Sequence, residues 1–422
     1  MKRLLMMLVW PAMAAHAQTD SSAIKAVLRQ HIHALAAPEM AGRGYVAGGV
    51  ERAADYIGAE FKAVGLKSPR PLRNYRQHYS VPVNTFPGEV ALAYNGKTLK
   101  TGVEYLVAAA SSPITVRDLP LKLADFAGIT RTEDMKAALG QLDRSAAWLV
   151  LHADSFCRNA GIPLPYFAQL LPAGCYLMPE HGKLMWTVAP GQMRATVFNI
   201  PDTAVPPVGT LVSATVEAKE EQHECDNVIG MVPGTASDSV IIFSAHYDHL
   251  GRMGSAVFPG ASDNASGTAM LLWLARWFAA HPQRYTLMFI AFSGEEAGLL
   301  GSEYYVKYPV VPLSKVRFVV NVDIMGDATD GVTVVNATEY PAAFARMQEV
   351  NSKGGYLPVV KSRGKAANSD HYHFTEAGVP AFFLYSNGGM GYYHDVFDKP
   401  EAVTLNRVAG VAALLREMAG QL

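Results

Sequence analysis

The sequence predicts an α/β fold: a mixed, mostly parallel central sheet with helices on both faces, interrupted by an inserted, mostly β domain. Three observations carry that expectation. After about Glu220, the runs Val240 to Ser244, Tyr285 to Phe292, Val316 to Val322 and Ala381 to Tyr385 are short, apolar and β-branched, as strands buried on both faces are. Between the first two lies Ala265 to Ala280, apolar nearly all round through Met270, Leu271, Trp273, Leu274, Trp277 and Phe278, which reads as a buried helix. From about Pro87 to Ser213 the character changes. Pro and Gly recur there, and strand-like runs such as Ala146 to Leu151 and Ala195 to Ile200 are not separated by strong helical patterns.

Taken in chain order, residues 1–17 read as a signal peptide. Lys2 and Arg3 precede an apolar stretch too short to anchor in a membrane, and Ala15-His16-Ala17 supplies the small-x-small cleavage pattern. An exported protein, periplasmic or secreted, is expected. Residues 18–86 form the first part of the main domain. Within it Val50, Ala53, Ile57, Phe61 and Val64 share one helical face, and Gly65 stops the helix. Residues 87–213 form the insert, and residues 214–422 complete the main domain with a closing helix from about Leu405 to Leu422. Alternating strands and helices imply helices on both faces of the sheet.

A chain of 422 residues exceeds what one core usually holds, so two or three domains are expected. Hydrophobic residues make up 50% and charged residues 17%, an ordinary globular balance. The formal charge is -1 and no dense Lys/Arg stripe occurs, which argues against nucleic acid or anionic lipid as a partner. No later run approaches the roughly 20 apolar residues of a membrane span. Of the three cysteines, Cys157 and Cys175 are expected to close a short loop in an oxidising compartment, leaving Cys225 unpaired.

Five segments end an apolar run with metal-binding side chains: SAHYDHLG (Ser244 to Gly251), GASDNASG (Gly260 to Gly267), FSGEEAGLLGS (Phe292 to Ser302), NVDIMGD (Asn321 to Asp327) and GYYHDVFD (Gly391 to Asp398). They fall at the carboxyl ends of strands, where open α/β sheets place their sites. His246 and Asp248 fit a ligating imidazole and the carboxylate that orients it, with His249 taken as a bystander. Asp263 has two oxygens and can bridge two metals about 3.5 to 4 Å apart, although an N-cap role explains it equally well in isolation. Glu295 and Glu296 are costly after a buried strand unless paired, protonated or metal-bound. Side chains of neighbouring residues in a turn diverge, so one can be a ligand and the other a general base. Asp323 ends another strand, and Asp327 is a candidate for outer support. His394 and His371 compete for the last imidazole position, and spacing does not separate them. Tyr393 offers a phenol to a developing oxyanion. This inventory points to a metallohydrolase. His-Glu-x-x-His, Gly-x-Ser-x-Gly and Walker A patterns do not occur.

In this order the five segments resemble the co-catalytic di-zinc aminopeptidase family, which also contains the glutamate carboxypeptidases. The resemblance spans about Ala36 to Leu66 and Cys225 to the C-terminus, and it implies a zinc-exopeptidase-like fold. It assigns His246 and Asp323 to one Zn2+, Glu296 and His394 to the other, Asp263 as the bridge, Glu295 as general base, Asp248 as the outer carboxylate and Tyr393 as the oxyanion-stabilising phenol. It thereby favours His394 over His371. Glu39-Met40-Ala41-Gly42-Arg43-Gly44 and the following helix look like the family's N-terminal piece, and the insert is similar in position to a protease-associated or apical domain. The implied reaction is hydrolysis of peptide substrates at a chain end by a metal-bridged hydroxide. A carboxypeptidase or dipeptidase of the same family, a glutaminyl-cyclase-like acyltransferase and a non-catalytic binding protein on this scaffold are the rival readings. The motifs hold no arginine cluster that would grip a substrate carboxylate, yet an arginine elsewhere, such as Arg363, could fold over the site.

Overall fold

The computed structural model describes residues 9–236 and 238–422, with side-chain surroundings from residue 21 onward apart from Pro165. The basic start of the expected signal peptide lies outside the described residues. The remainder of that stretch is described only as backbone, at the beginning of helix α1 (Val9–Leu35). Among the described residues, no helix is long and apolar enough to cross a membrane.

The central sheet has eight strands: β1 (Arg76–Thr85), β2 (Lys219–Val232), β3 (Val240–His246), β4 (Thr286–Phe292), β5 (Val316–Asp323), β6 (Val332–Val335), β7 (Val360–Ser362) and β8 (Ala381–Ser386). Their spatial order is β1-β2-β4-β3-β5-β8-β6-β7. The middle four, β4-β3-β5-β8, run parallel, and antiparallel partners flank them through β2 and β6. Every residue of β3 is buried, as are all but one of β4 and of β5, which is why these strands carry apolar runs without polar alternation. Helix α2 (Gly49–Ala63) turns Val50, Ala53, Ala54, Ile57 and Phe61 inward, close to the face its spacing predicts. Helix α3 (Gly267–Ala280) buries Leu271, Leu274 and Phe278 in the same core as α1 and the closing helix (Val408–Ala419).

The segment Glu39–Gly44 lies against the hairpin of Gly251–Met253 and Ala256–Phe258, and two glycines permit the close approach. A β-carbon at Gly42 would fall 2.3 Å from the Phe258 carbonyl oxygen, and one at Gly44 would fall 2.3 Å from the Gly251 Cα. Backbone thus packs on backbone, and Arg43 is driven into the interior.

The chain between β1 and β2 builds a second eight-stranded sheet. Its order is Lys97–Thr98, Val90–Tyr94, Leu211–Val216, Ile114–Asp125, Ala147–Leu151, Cys175–Glu180, Thr196–Pro201, Leu106–Val107. Strands from Ile114–Asp125 to Thr196–Pro201 are parallel, and helices Thr132–Leu139, Ala153–Ala160 and Leu164–Leu170 pack beside them. These helices are short, which explains why periodicity did not reveal them. The expected Cys157–Cys175 disulfide is not formed, and Cys157, Cys175 and Cys225 are buried free thiols. Cys175 packs with Leu149, Leu177 and Phe198, whereas Cys157 packs with Val150, Tyr176 and Phe167. Alternation along the strands puts these two clusters on opposite faces of the second sheet, so the thiols face away from each other.

Candidate metal centre

Strand β3 delivers His246 to the carboxyl edge of the parallel sheet, and the chain then dips rather than surfaces: Tyr247, Asp248 and His249 are all fully buried. His246 Nδ1 lies 3.1 Å from the Asp248 backbone carbonyl and 3.7 Å from its carboxylate. A carbonyl only accepts, so the proton sits on Nδ1 and leaves Nε2 facing the centre. The Asp248 carboxylate accepts from the Tyr45 hydroxyl at 2.9 Å and from the backbone N–H groups of Glu295 and Glu296 at 3.3 Å each. One side chain therefore ties the His246 segment to the acidic turn after β4.

Asp263 sits in an irregular turn ahead of α3, where its own N–H and that of Ser262 donate to the Asp398 carboxylate at 3.0 and 2.9 Å. Its two oxygens separate two groups. Oδ1 is 3.3 Å from His246 Nε2, and Oδ2 is 3.3 Å from His394 Nε2. His246 Nε2 is also 3.3 Å from Asp323 Oδ1, and His394 Nε2 is 3.3 Å from Glu296 Oε2. The other Asp323 oxygen accepts from Ser369 Oγ, and the other Glu296 oxygen accepts from His249 Nδ1 at 2.8 Å.

The repeated 3.3 Å spacing is informative. Zinc–nitrogen and zinc–oxygen bonds are about 2.0 to 2.1 Å, so the edge of a zinc tetrahedron measures roughly 3.3 Å. His246 Nε2, His394 Nε2 and Asp323 Oδ1 are buried without hydrogen-bond partners, an arrangement that costs free energy unless a cation lies between them. Asp263, Glu295, Glu296 and Asp323 also bring four carboxylates together, and two divalent cations would balance that charge. His246, Asp263 and Glu296 form one compact group able to hold an ion, and His246, Glu295 and Asp323 form another. The donor set fits zinc.

Electrostatics divide the acidic pair. Burial, with the charges of Glu296, Asp370 and Asp323, pushes Glu295 well above the usual carboxylate range. Burial acts on Glu296 too, but His394 and His249 overcome it and hold its pKa at about 2. Asp263 is likewise held low against burial by His246 and His394. The charges of Glu296 and Asp263 lift His394 to about 11 in spite of its burial.

Tyr393 stacks on the His394 ring at 3.8 Å and stays half-exposed at the rim. Partial burial and the carboxylates of Asp263 and Glu296 raise its pKa, keeping the phenol protonated. His394 Nε2 approaches Asp263 and Glu296, whereas the His371 ring packs on Phe383 at 5.3 Å and burial lowers its pKa to about 4. Asp327 accepts from Thr329 N–H at 2.7 Å and Asn406 Nδ2 at 3.2 Å and is outside both groups. Arg363 reaches Tyr385, the residue paired in register with Asp323.

Sequence reasoning missed four supports. His249, dismissed as a bystander, holds Glu296; Asp398 caps the Asp263 turn; Arg43 underlies that turn; and the Trp186 carbonyl accepts His394 Nδ1–H at 2.8 Å. The first two lie inside the motifs already singled out, so proximity was the available signal. Nothing local marks Trp186, which lies in the insert.

A cavity of about 220 Å³ opens beside Asp263 and Tyr393, walled by Ile324, Met390 and Tyr392. It is smaller than pockets for drug-sized ligands, roughly 300 to 1,000 Å³, and matches the scale of one amino-acid residue. A larger cavity of about 1,090 Å³ lies between the end of α1 and the second sheet, and none of the ligand candidates lines it.

Residues 227–419 match the family described as peptidase family M28. Among curated proteins, an aminopeptidase, YwaD, of Bacillus subtilis is 30% identical over 210 residues, covering 46% of this chain and 44% of its own length. A probable leucine aminopeptidase of Trichophyton verrucosum is 31% identical over 182 residues, covering 40% of this chain and 48% of its own. The chain thus spans about half the length of the curated relatives it matches. In fold it is similar to a zinc aminopeptidase from Bacillus subtilis, with a TM-score of 0.68 at 19% identity over 93% of this chain and 94% of that one. It is also similar to an aminopeptidase from Aneurinibacillus sp. strain AM-1, with a TM-score of 0.61 at 21% identity over 94% and 93% of the two chains.

Proposed function

We propose, from the match of residues 227–419 to peptidase family M28, that the protein is an exported, zinc-dependent aminopeptidase that removes N-terminal residues from peptides. The observation that carries this reading is Asp263, whose two oxygens each lie 3.3 Å from a different histidine Nε2. His246 and Asp323 would hold one zinc, and Glu296 and His394 the other. Zinc at such a site supplies a Lewis acid for the scissile carbonyl and makes water acidic enough to ionise near neutral pH.

The chain's own groups do the rest. Glu295 takes the proton of the attacking water at its carboxylate and delivers it to the leaving amine. Tyr393 donates its phenolic hydrogen to the oxygen on which charge develops. Asp248 holds the Glu295–Glu296 turn through its backbone, while His249 fixes the rotamer of Glu296. The single-residue cavity beside Asp263 receives one substrate side chain, which suits removal of one residue at a time. Export is supported by Lys2, Arg3 and the Ala15-His16-Ala17 pattern.

The test is a panel of aminoacyl-nitroanilides and N-blocked dipeptides, assayed with and without chelator. Chelator-sensitive cleavage of free-amino substrates is expected. Cleavage of blocked substrates alone would reverse the direction to a carboxypeptidase, and activity indifferent to chelator would remove the metal reading.

A further inference from the structure

The His394 half of the centre is held from outside the peptidase sheet. The segment that leaves strand Cys175–Glu180 of the second sheet crosses to the Gly391–Asp398 loop and grips it at several points. Trp186 N–H donates to the His394 carbonyl at 3.2 Å, and the Trp186 carbonyl receives His394 Nδ1–H at 2.8 Å. The Lys183 ammonium donates to the carbonyls of Gly391 and Tyr393 at 2.9 and 2.6 Å and lies 3.1 Å from the Asp395 carboxylate. Trp186 is in turn anchored. Its indole N–H donates to the Val107 carbonyl at 2.8 Å, and its ring stacks on Phe258 at 4.8 Å.

Two consequences follow for His394. Its φ of +56° is one that residues bearing a side chain seldom adopt, so the loop needs outside support to keep it. Its orientation is also set from the insert: with Nδ1–H committed to the Trp186 carbonyl, Nε2 is the nitrogen turned toward Asp263 and Glu296 and left to bind a cation once its proton is displaced. His246 takes its corresponding partner from Asp248, two residues away on its own strand end. The two halves of the centre therefore differ in what supports them.

We propose that Lys183 and Trp186 are positioning residues of the metal centre, so that the insert controls occupancy of the half built from Glu296 and His394, while the half built from His246 and Asp323 is independent of it. This rests on the di-zinc reading above. A ligand or partner that shifts the second sheet against the peptidase sheet would act on one metal and spare the other.

The experiment uses the full-length, zinc-loaded protein and competes the metal away with a chromogenic chelator, alongside turnover of leucine nitroanilide and a thermal melt. In Lys183→Met one zinc equivalent is expected to bind about 10- to 100-fold more weakly, with the second unchanged. kcat should fall with little change in KM, and Lys183→Arg should recover most of both effects. Trp186→Phe keeps the stacked ring and drops the Val107 bond, and it should weaken the same equivalent if Lys183→Met proves unstable. Retention of both equivalents at wild-type affinity in these variants overturns the proposal, as does equal weakening of both. A wild-type protein that takes up no zinc overturns the enzymatic reading instead.

Discussion

The Arg43 guanidinium lies under the turn that carries Asp263, with Nη2 at 3.3 Å from the Asp263 backbone carbonyl and 2.6 Å from that of Gly260. Its remaining N–H groups reach the carbonyls of Tyr247, Leu35 and Pro259 at 2.7 to 2.8 Å. One fully buried cation thus fastens the N-terminal segment to both the His246 and the Asp263 loops. Burial lowers its pKa to about 10, partly offset by Asp398 and Asp263, so the charge persists at neutral pH.

Arg43→Met is therefore expected to take a charged donor away from five carbonyls, of which that of Gly260 still accepts the Ala265 N–H. Hydrogen bonds to a charged group are worth about 1.5 to 3 kcal/mol each and are not additive, so a loss above about 4 kcal/mol is expected. Chemical denaturation measures it, and a loss below about 1 kcal/mol would show that the loops hold without this cation. Zinc retention should fall as well, since the turn beneath Asp263 is released.

Glu295→Gln keeps the shape of the turn and removes the base. Both zinc equivalents should remain by elemental analysis, while kcat falls by about 10²- to 10⁴-fold, the usual contribution of a positioned general base. Asp263→Ala should do the opposite, emptying the centre because a shared ligand is gone. If Glu295→Gln loses metal as Asp263→Ala does, Glu295 is a ligand and the two glutamates have exchanged roles.

Much of this centre was legible in the sequence because its parts sit next to strand ends. Burial makes β3, β4 and β5 continuous apolar runs, and whatever polar residue ends such a run must be paired or functional, which singled out His246, Glu295, Glu296 and Asp323. Asp263 was ambiguous because an N-cap looks the same. Only the opposed 3.3 Å contacts of its two oxygens separate the readings. His371 and His394 could not be ranked by spacing, since what distinguishes them is the approach of His394 Nε2 to Asp263 and Glu296, on segments distant in sequence, with its ring oriented by the Trp186 carbonyl 208 residues away. The helices of the insert were hidden by their length, and the cysteines by a sheet face that alternation alone could not place in three dimensions.

Metal uptake should release protons. In the metal-free protein His394 is raised from 6.5 to about 11 by Glu296 and Asp263, and His246 is raised by Asp323 and Glu295, both against the effect of burial. A raised imidazole stabilises the metal-free fold fully below about pH 6.5, and that contribution is lost as pH rises through about 11. Zinc must displace the Nε2 protons, so its apparent affinity should climb by about tenfold per pH unit for each proton displaced. Calorimetric titration at pH 7.5 in buffers of different ionisation enthalpy reads the number released. Heats independent of the buffer would mean that the imidazoles are already neutral.

A second pH dependence arises away from the centre. His31 on α1 is nearly fully buried, its Nδ1 is 2.6 Å from the Tyr56 hydroxyl on α2, and burial, with the nearby charge of Arg276, lowers its pKa from 6.5 to about 4. The sign is opposite to that of His394: between pH 6.5 and 4 the unfolded chain binds this proton and the folded chain does not. The contribution is present above pH 6.5 and is lost as pH falls toward 4, amounting to on the order of 3 kcal/mol over the window. His31→Gln cannot take up that proton, so its unfolding free energy should fall less steeply with acidification than that of the wild type. Parallel slopes for the two proteins across this window would show that the α1–α2 contact opens to admit the charge.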